Sequence, residues 1–215
     1  MSNYLWLLEP GHGGVREGVY TSAPNYDPNN PNTWYKMHVF GNGITIFEGD
    51  RNRCIVEAMI GMLQDEGIDY VNIVPELDDV SLGERVRRAN KQHQISGRCA
   101  YVSIHGNAFG NGANGWEVFT SPSETHSDGI ATEVYKQMKL QFPDKKMRVD
   151  YSDSDPDKES HFYVLTHTQM PAILTENFFF DNWEEAQILL SNEGITKIAK
   201  AHVEAIKKIE QECPF

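Results

Sequence analysis

Hydrophobic positions recur along the chain with two different spacings. Short apolar runs predict buried strands, whereas apolar residues repeated every three to four positions predict amphipathic helices. Strands are predicted at residues 4–8, 70–74, 100–104, 116–120 and 171–175, and helices at 51–66, 81–94, 127–142 and 195–210. Because strand-like and helix-like segments alternate, we expect an α/β domain.

Turn-forming residues mark the ends of several of these elements. An Asn-Gly turn separates two short apolar runs and predicts a hairpin over residues 37–47. Gly67 follows one predicted helix, and Ser81 with Glu84 resembles a capping box at the start of the next. Residues 10–34 are rich in Gly, Pro and Asn and are predicted to form a long loop. Because no internal repeat or linker divides the chain, we expect one domain over residues 1–215.

Composition and charge exclude several classes of function. The chain has 215 residues, of which 40% are hydrophobic and 11% aromatic, as expected for a globular protein with a sizeable core. The formal net charge of −12 argues against binding to nucleic acid or to anionic membranes. No apolar stretch approaches the roughly 18 residues that a membrane-spanning helix requires. Because the three cysteines form no CxxC pair, Cys54 and Cys99 are interpreted as core thiols.

Two histidines lie directly after predicted strands. His12 is surrounded by glycines in the segment PGHGG, residues 10–14, and His105 follows the apolar run at 100–104. In open α/β sheets, ligands bind beyond the carboxyl ends of the strands. Either histidine alone is weak evidence for a site, because a histidine at a strand end is often structural. Two of them in equivalent positions favour convergence on one site.

A glutamate at the start of a predicted helix adds a third possible metal ligand. Glu48 lies in the segment FEGDRN, residues 47–52. Its structural interpretation is that an acid at a helix N-terminus complements the helix dipole. Together with His12 and His105, however, it makes a usual catalytic zinc set, in which the fourth position is left for water. Calcium and magnesium prefer oxygen ligands alone, so zinc is the expected ion.

A second glutamate is a candidate for proton transfer. Glu176 follows the apolar run at 171–175 and precedes three aromatic residues at 178–180. An acid in such surroundings is costly to bury unless it is paired or linked to a metal. Burial would raise its pKa, which suits proton transfer near neutral pH. We therefore interpret Glu176 as catalytic, against the alternative of a polar strand end, and the three aromatic residues as core and groove wall.

These four segments together resemble the zinc-dependent N-acetylmuramoyl-L-alanine amidases of bacteria and their phages. The first resembles the family's opening zinc motif, the second its glutamate ligand, the third its second histidine motif and the fourth the segment with its catalytic glutamate. The resemblance spans nearly the whole chain in order, through residues 10–14, 48–52, 81–90, 103–108, 115–118, 163–165, 171–176 and 182.

The resemblance implies a fold, a metal and a substrate. The fold would be a twisted, mostly parallel sheet flanked by helices on both faces. His12, Glu48 and His105 would bind Zn²⁺, and Glu176 would take a proton from the zinc-bound water and deliver it to the leaving amine. The substrate would be peptidoglycan, cut between the lactyl group of N-acetylmuramic acid and L-alanine.

Three features depart from the family pattern. Glu9 stands where an Asp is common, Phe178 stands where many members have Gly, and residues 15–47 form a longer segment than in compact members. These departures leave the zinc set intact but affect the expected shape of the substrate groove. The 15–47 insert, with Trp34 and Tyr35, is expected either to line that groove or to pack beside it.

Other functions remain open from the sequence. One is a zinc hydrolase that acts on a different amide, and another is a non-catalytic wall-binding module that has kept the fold. A structural zinc protein is disfavoured, because no closed, Cys-rich set of four ligands is visible.

Several surface features receive structural interpretations. The acidic segment 150–157 is a possible calcium site, but it lacks the Gly and the terminal Glu of an EF-hand loop, so a solvated loop is favoured. Arg85, Arg87 and Arg88 are interpreted as a solvated helix face. The first eight residues lack a basic region and a cleavage site, so they are interpreted as a strand and not as a signal peptide. We therefore expect synthesis in the cytoplasm and action at the cell wall, with release as a phage-type lysin favoured.

Overall fold

A computed structural model describes residues 2–22, 36–110 and 112–212. Its strands are β1 (Leu5–Pro10), β2 (Val15–Arg16), β3 (Val19–Tyr20), β4 (Met37–Val39), β5 (Thr45–Phe47), β6 (Tyr70–Asn72), β7 (Cys99–Asn107), β8 (Glu117–Thr120), β9 (Lys158–Glu159) and β10 (Ala172–Phe179). Its helices are α1 (Glu48–Glu66), α2 (Leu82–Ser96), α3 (His126–Gln141), α4 (Tyr163–His167), α5 (Trp183–Leu190) and α6 (Asn192–Glu212). Trp34 and Tyr35, and with them residues 23–34 of the predicted 10–34 loop, lie outside the described residues.

Six of the strands form one sheet in the order β6-β1-β7-β10-β8-β9. The pairing of β10 with β8 is antiparallel, and the other four pairings in this sheet are parallel. Two small hairpins, β2-β3 and β4-β5, stand apart from it, and the second is the hairpin that the Asn-Gly turn predicts. The prediction of a mostly parallel sheet is therefore confirmed.

Both faces of the sheet are covered by helices, as predicted. Successive residues of a strand point to opposite faces. Trp6 and Leu8 therefore pack into a core with α1, α3 and α6, whereas Leu7 packs on the other side with α2 and α4. All three side chains are fully buried.

Local signals set most helix ends. Helix α1 stops at Gly67, which has a φ of 66° in the left-handed region where glycine is favoured. The Ser81 hydroxyl accepts a hydrogen bond from the Glu84 backbone N–H at 3.4 Å and caps α2. Helix α1 begins at Glu48, three residues earlier than the periodicity predicts, because its first turn follows β5 directly and its polar residues carry no apolar signal. The five-residue helix α4 is too short to show periodicity and was not predicted.

Some sequence expectations were wrong. Strands β7 and β10 extend beyond their apolar runs, so His105 and Glu176 lie inside strands and not after them. The acidic segment 150–157 is not simply a solvated loop, because its Asp157 side chain is buried and β9 follows it directly. Neither Cys54 nor Cys99 forms a disulfide, and Cys99 is buried as expected of a core thiol, while Cys54 is half-buried. The aromatic residues 178–180 are all buried in the core, so the expectation of core is confirmed and that of groove wall is wrong.

Among the described helices, none is both long enough and apolar enough to cross a membrane.

Candidate metal and catalytic site

The alternation of side chains gathers polar residues at one end of one sheet face. In the three central strands, residues that share a face with Leu7 include Glu9 on β1, Ser103 and His105 on β7, and Glu176 on β10. These residues lie toward the carboxyl ends of parallel strands. They face the side of the sheet that α2 and α4 cover, which places them at the position where α/β sheets bind ligands.

His12 lies in a strained loop that packs against the start of α1. Its φ is 63°, a left-handed conformation that is uncommon for a residue other than glycine. Two glycines at this contact leave no room for a side chain. A Cβ on Gly11 would lie 2.1 Å from His105 Cε1, and one on Gly49 in α1 would lie 1.9 Å from the Gly13 carbonyl oxygen. Both positions therefore require glycine, because the loop approaches His105 and α1 closely there. This close approach places His12 beside Glu48.

The two histidines and Glu48 converge on one point. His12 Nε2 lies 3.2 Å and His105 Nδ1 lies 3.0 Å from Glu48 Oε1. The two imidazole rings are nearly perpendicular, at 86°, with centroids 5.0 Å apart. One possible ligand atom from each residue lies within 4.8 Å of the others. The structure therefore brings together the three residues that the sequence predicted as zinc ligands.

Two arginines hold the backbone of the His12 loop. Arg53 donates to the His12 carbonyl at 2.9 Å, and Arg85 donates to the same carbonyl at 3.2 Å and to that of Pro10 at 2.8 Å. Arg85 also pairs with Glu9, which accepts a hydrogen bond from the Ser103 hydroxyl. The expectation that Arg85 belongs to a solvated helix face is wrong, since only 2% of it is exposed. Burial lowers the pKa of Arg85 to about 10, so it stays charged at neutral pH.

Arg88 and Arg87, the other two arginines that were predicted on a solvated helix face, differ in their exposure. Arg88 is half-buried and donates to Glu76 and to the Ile73 carbonyl. Arg87 points to solvent and pairs with Glu84, as predicted. Only this outer arginine behaves as a residue of a solvated face.

The charges of the site favour a carboxylate beside neutral imidazole. Burial alone would raise the pKa of Glu48, but His12 and the hydrogen bond with His105 hold it well below its ordinary value. Burial lowers the pKa of His105 to about 4, against the opposing influence of Glu48. Ionised Glu48 and neutral His105 are the forms in which these side chains bind metals.

Glu176 stands beside this cluster without a partner for one of its oxygens. It pairs in register with His105 on β7 and with Glu117 on β8. Its Oε2 is buried and makes no hydrogen bond. Burial, reinforced by the negative charge of Glu48, raises its pKa well above the ordinary value. Glu117 is held differently, because it accepts hydrogen bonds from Asn107, at 2.6 Å, and from Arg148 and Lys158.

The cluster opens into a cavity of about 510 Å³. Its floor contains Glu9, His12, His105 and Glu176, and its walls come from the start of α2 and from α4. The wall residues include Val80, Ser81, Leu82, Phe162, Tyr163 and Val164. A polar floor beneath apolar and aromatic walls is typical of a ligand-binding site.

Unsatisfied atoms at the cluster fit a bound cation. His12 Nε2 and Glu48 Oε2 are buried and have no hydrogen-bond partner. Buried polar atoms of this kind are rare unless an ion or water accounts for them. The Lys36 ammonium lies 3.6 Å from Glu48 Oε2 and compensates part of the charge. The donor set, two imidazole nitrogens and a carboxylate, suits zinc.

Comparison with known proteins decides the family. The profile of the N-acetylmuramoyl-L-alanine amidase family matches residues 7–208. The chain belongs to this family.

Individual relatives of this amidase agree with that assignment. The chain is 34% identical over 209 residues to the N-acetylmuramoyl-L-alanine amidase CwlM of Bacillus licheniformis, covering 94% of this chain and 67% of that one. It is 34% identical over 203 residues to YqiI of Bacillus subtilis, an uncharacterized protein, covering 93% and 81%. The structure of the amidase AmiC2 of Nostoc punctiforme has the same fold, with a TM-score of 0.72, 24% identity and coverage of 97% and 98%.

The assignment confirms the predicted family and makes the protein a hydrolase. Members of this family use a metal ion, and the cluster of His12, Glu48 and His105 is a possible ligand group for it. From the sequence, Glu9 stood out only as a departure from the family pattern, and neither its pairing with Arg85 nor the position of Lys36 beside Glu48 was predicted. Arg85 lies within a segment that carries the resemblance and Glu9 directly precedes one, but nothing in their local pattern distinguishes a buried ion pair from two surface charges.

Proposed function

We propose that the protein hydrolyses the amide bond between N-acetylmuramic acid and L-alanine in peptidoglycan, with zinc as its metal. The observation that carries this proposal is the convergence of His12, Glu48 and His105, whose possible ligand atoms lie within 4.8 Å of one another, beside the unpaired carboxyl of Glu176. Membership of the amidase family supports the choice of bond. We further propose that residues 1–215 act as one catalytic domain, with residues 15–47 as an insert.

His12, Glu48 and His105 would bind the zinc ion. When bound, zinc lowers the pKa of a coordinated water toward about 7 and polarises a carbonyl oxygen. Three protein ligands leave a position open for that chemistry. Arg53, Arg85 and the close packing of Gly11 on His105 fix the ligands in position, and the neutral imidazole of His105 is ready to donate its lone pair.

Glu176 would move the proton. As a carboxylate it accepts a proton from the attacking water, and as a carboxylic acid it donates that proton to the nitrogen of the leaving L-alanine. Its raised pKa lets it hold the proton between these two events at neutral pH. General acid–base catalysis of this kind contributes about 10²- to 10⁴-fold to the rate.

The cavity determines what reaches these residues. Phe162 and Tyr163, both more than a third exposed, form part of its wall together with Leu82. Such side chains suit the apolar faces of a sugar ring and of a peptide stem. The partner that we propose is therefore peptidoglycan, and the place of action is the cell wall. Synthesis in the cytoplasm and release as a phage-type lysin stay predictions, which fractionation of the producing cells tests.

The test is the digestion of purified sacculi with the zinc-loaded protein. We expect new L-alanine amino termini, which disappear with a chelator and return when zinc is added. Release of amines from another amide, with sacculi left intact, would support a different amidohydrolase. Binding to sacculi without any new amine would support a wall-binding module.

Two variants separate the metal ligands from the proton carrier. Glu176→Gln keeps the shape of the side chain, so we expect full zinc content and at least about a 100-fold loss of turnover. His105→Ala should lower the zinc content measured by elemental analysis. Glu124→Gln and His161→Ala are the matched controls, because both residues are exposed and neither lines the cavity. Normal turnover in Glu176→Gln, or full zinc in His105→Ala, would contradict the corresponding role.

A further inference from the structure

A second group of acidic residues lies at the outer edge of the sheet. Asp128 belongs to the first turn of α3, and Asp155 and Asp157 precede the edge strand β9. One carboxylate oxygen from each lies within 4.8 Å of the other two. This cluster is formed by elements other than those that form the zinc site.

Asp157 is buried without enough partners to satisfy its charge. Only 2% of it is exposed. Its Oδ2 accepts a hydrogen bond from the Thr120 hydroxyl at 2.6 Å, but its Oδ1 has no partner, and neither does Asp155 Oδ1. Among the described residues, no Lys, Arg or His forms an ion pair with any of the three carboxylates. A buried carboxylate in this state is costly unless a cation or a proton compensates it.

The pKa values of these acids also indicate that their negative charge is not compensated. Burial, followed by the neighbouring Asp155, raises the pKa of Asp157 to about 8 in the absence of a cation. Burial also raises the pKa of Asp128, and the charges of Asp155 and Asp153 add to this effect. The three acids therefore repel one another at the pH at which each would ordinarily be ionised.

We propose that Asp128, Asp155 and Asp157 bind a calcium ion. Ligands that are all oxygen select a hard cation over zinc. Calcium binds oxygens at about 2.3–2.6 Å in a flexible geometry, so three carboxylate oxygens that lie within 4.8 Å of one another can share one ion. Magnesium demands a near-ideal octahedron, which carboxylates from separate segments supply less readily. The remaining ligands would be water, supplied from a hollow of about 340 Å³ that Asp157 lines.

A bound calcium ion would stabilise the edge of the sheet. Asp128 lies in the first turn of α3, and Asp155 and Asp157 lead into β9, so one ion would link α3 to the segment before β9. Thr120, which ends β8, donates a hydrogen bond to Asp157 and so connects the site to a third segment. Next to Asp157, Lys158 donates to Glu117, which pairs in register with Glu176. Calcium would thus hold the segment that positions Lys158 on Glu117, while making no contact with the zinc ligands.

The experiment uses the zinc-loaded protein in calcium-free buffer, without a chelator. Calcium chloride is titrated to 5 mM by calorimetry, and thermal unfolding is followed in parallel. We expect one calcium per chain with a dissociation constant below about 1 mM. At 5 mM calcium, at least a fivefold excess over that constant, Tm should rise by at least about 2 to 4 °C. Magnesium should give a smaller rise.

Variants locate the binding. Asp155→Asn and Asp157→Asn should abolish the calcium-dependent rise in Tm, whereas the exposed Asp144→Asn should keep it. Because each Asn also relieves repulsion between carboxylates, neither variant should unfold at a lower temperature than the wild type in calcium-free buffer. No heat of binding and no rise in Tm for the wild type would overturn the proposal in favour of shared protons. An undiminished rise in both variants, or an equal rise with magnesium, would also overturn it.

Discussion

The buried imidazole of His202 makes the stability of the protein depend on pH in a defined direction. His202 lies on α6 with no exposed surface. Its Nδ1 donates to the Ile198 carbonyl, with the atoms 2.8 Å apart, and its Nε2 lies 3.1 Å from the Thr175 hydroxyl, which donates to it. Both ring nitrogens are satisfied in the neutral form. Burial lowers the pKa of His202 to about 4 in the folded protein.

The sign of the effect follows from the two pKa values. In the unfolded chain His202 has its ordinary pKa of 6.5, so below that pH the unfolded state binds a proton that the folded state does not. The folded state therefore loses stability as the pH falls from 6.5 toward 4, and the loss is complete below 4. At about 1.4 kcal/mol per pKa unit the full loss is about 3 kcal/mol, and at pH 5 it is about 2 kcal/mol.

The assay compares urea unfolding of the wild type and His202→Gln at pH 7 and pH 5. Gln is neutral at both values and can donate and accept hydrogen bonds, so its own cost is similar at each pH. The wild type should lose about 2 kcal/mol more than His202→Gln between the two values. The exposed His161→Gln should lose as much as the wild type. Equal losses in the wild type and His202→Gln would refute the claim that His202 stays neutral when buried.

Three further predictions concern the ion pair beside the metal site, the close packing of Gly11 and an exposed glycine of α1. Arg85→Met leaves Glu9 buried and unpaired, so the free energy of unfolding should fall by about 3 to 5 kcal/mol. Arg87→Met removes an ion pair with Glu84 that faces solvent and should cost less than about 1 kcal/mol. Urea unfolding of both variants measures the difference. Gly11→Ala pushes against His105, so its zinc content should drop, and unchanged zinc would contradict the close approach. Gly61→Ala meets no atom within 4 Å inside α1 and should raise stability by about 0.5 to 1 kcal/mol, detected as a higher Tm.

Much of the fold follows from the sequence because its signals are local. The apolar runs of the central strands and the glycine after α1 require no tertiary information. The ends of β7 and β10 were predicted too short for a physical reason. His105 and Glu176 are polar, and a polar residue normally marks the end of a buried run. Here both residues continue their strands, because His105 bonds to Glu48 and Glu176 faces the cavity.

The site was predictable where residue type alone carries the chemistry. His12, Glu48 and His105 are recognisable as a possible zinc set from their positions relative to predicted elements. The arrangement of Arg85, Glu9 and Ser103 was not predictable, because it joins α2 to β1 and β7 across long separations in the chain. For the same reason, the sequence did not predict that Asp128 lies beside the acidic segment 150–157. These residues come together only when α3 and β9 have packed in the fold.

The two guanidinium groups that hold the His12 loop also affect how the protein gains and loses its metal. Arg53 and Arg85 reach the loop from two helices that belong to opposite faces of the sheet. The loop conformation, including the left-handed backbone of His12, is therefore set by protein groups and not by the ion. We expect the metal to bind and dissociate reversibly at a preformed site, in a step separate from folding. A protein from which a chelator has removed the metal should therefore rebind zinc without passing through an unfolded state.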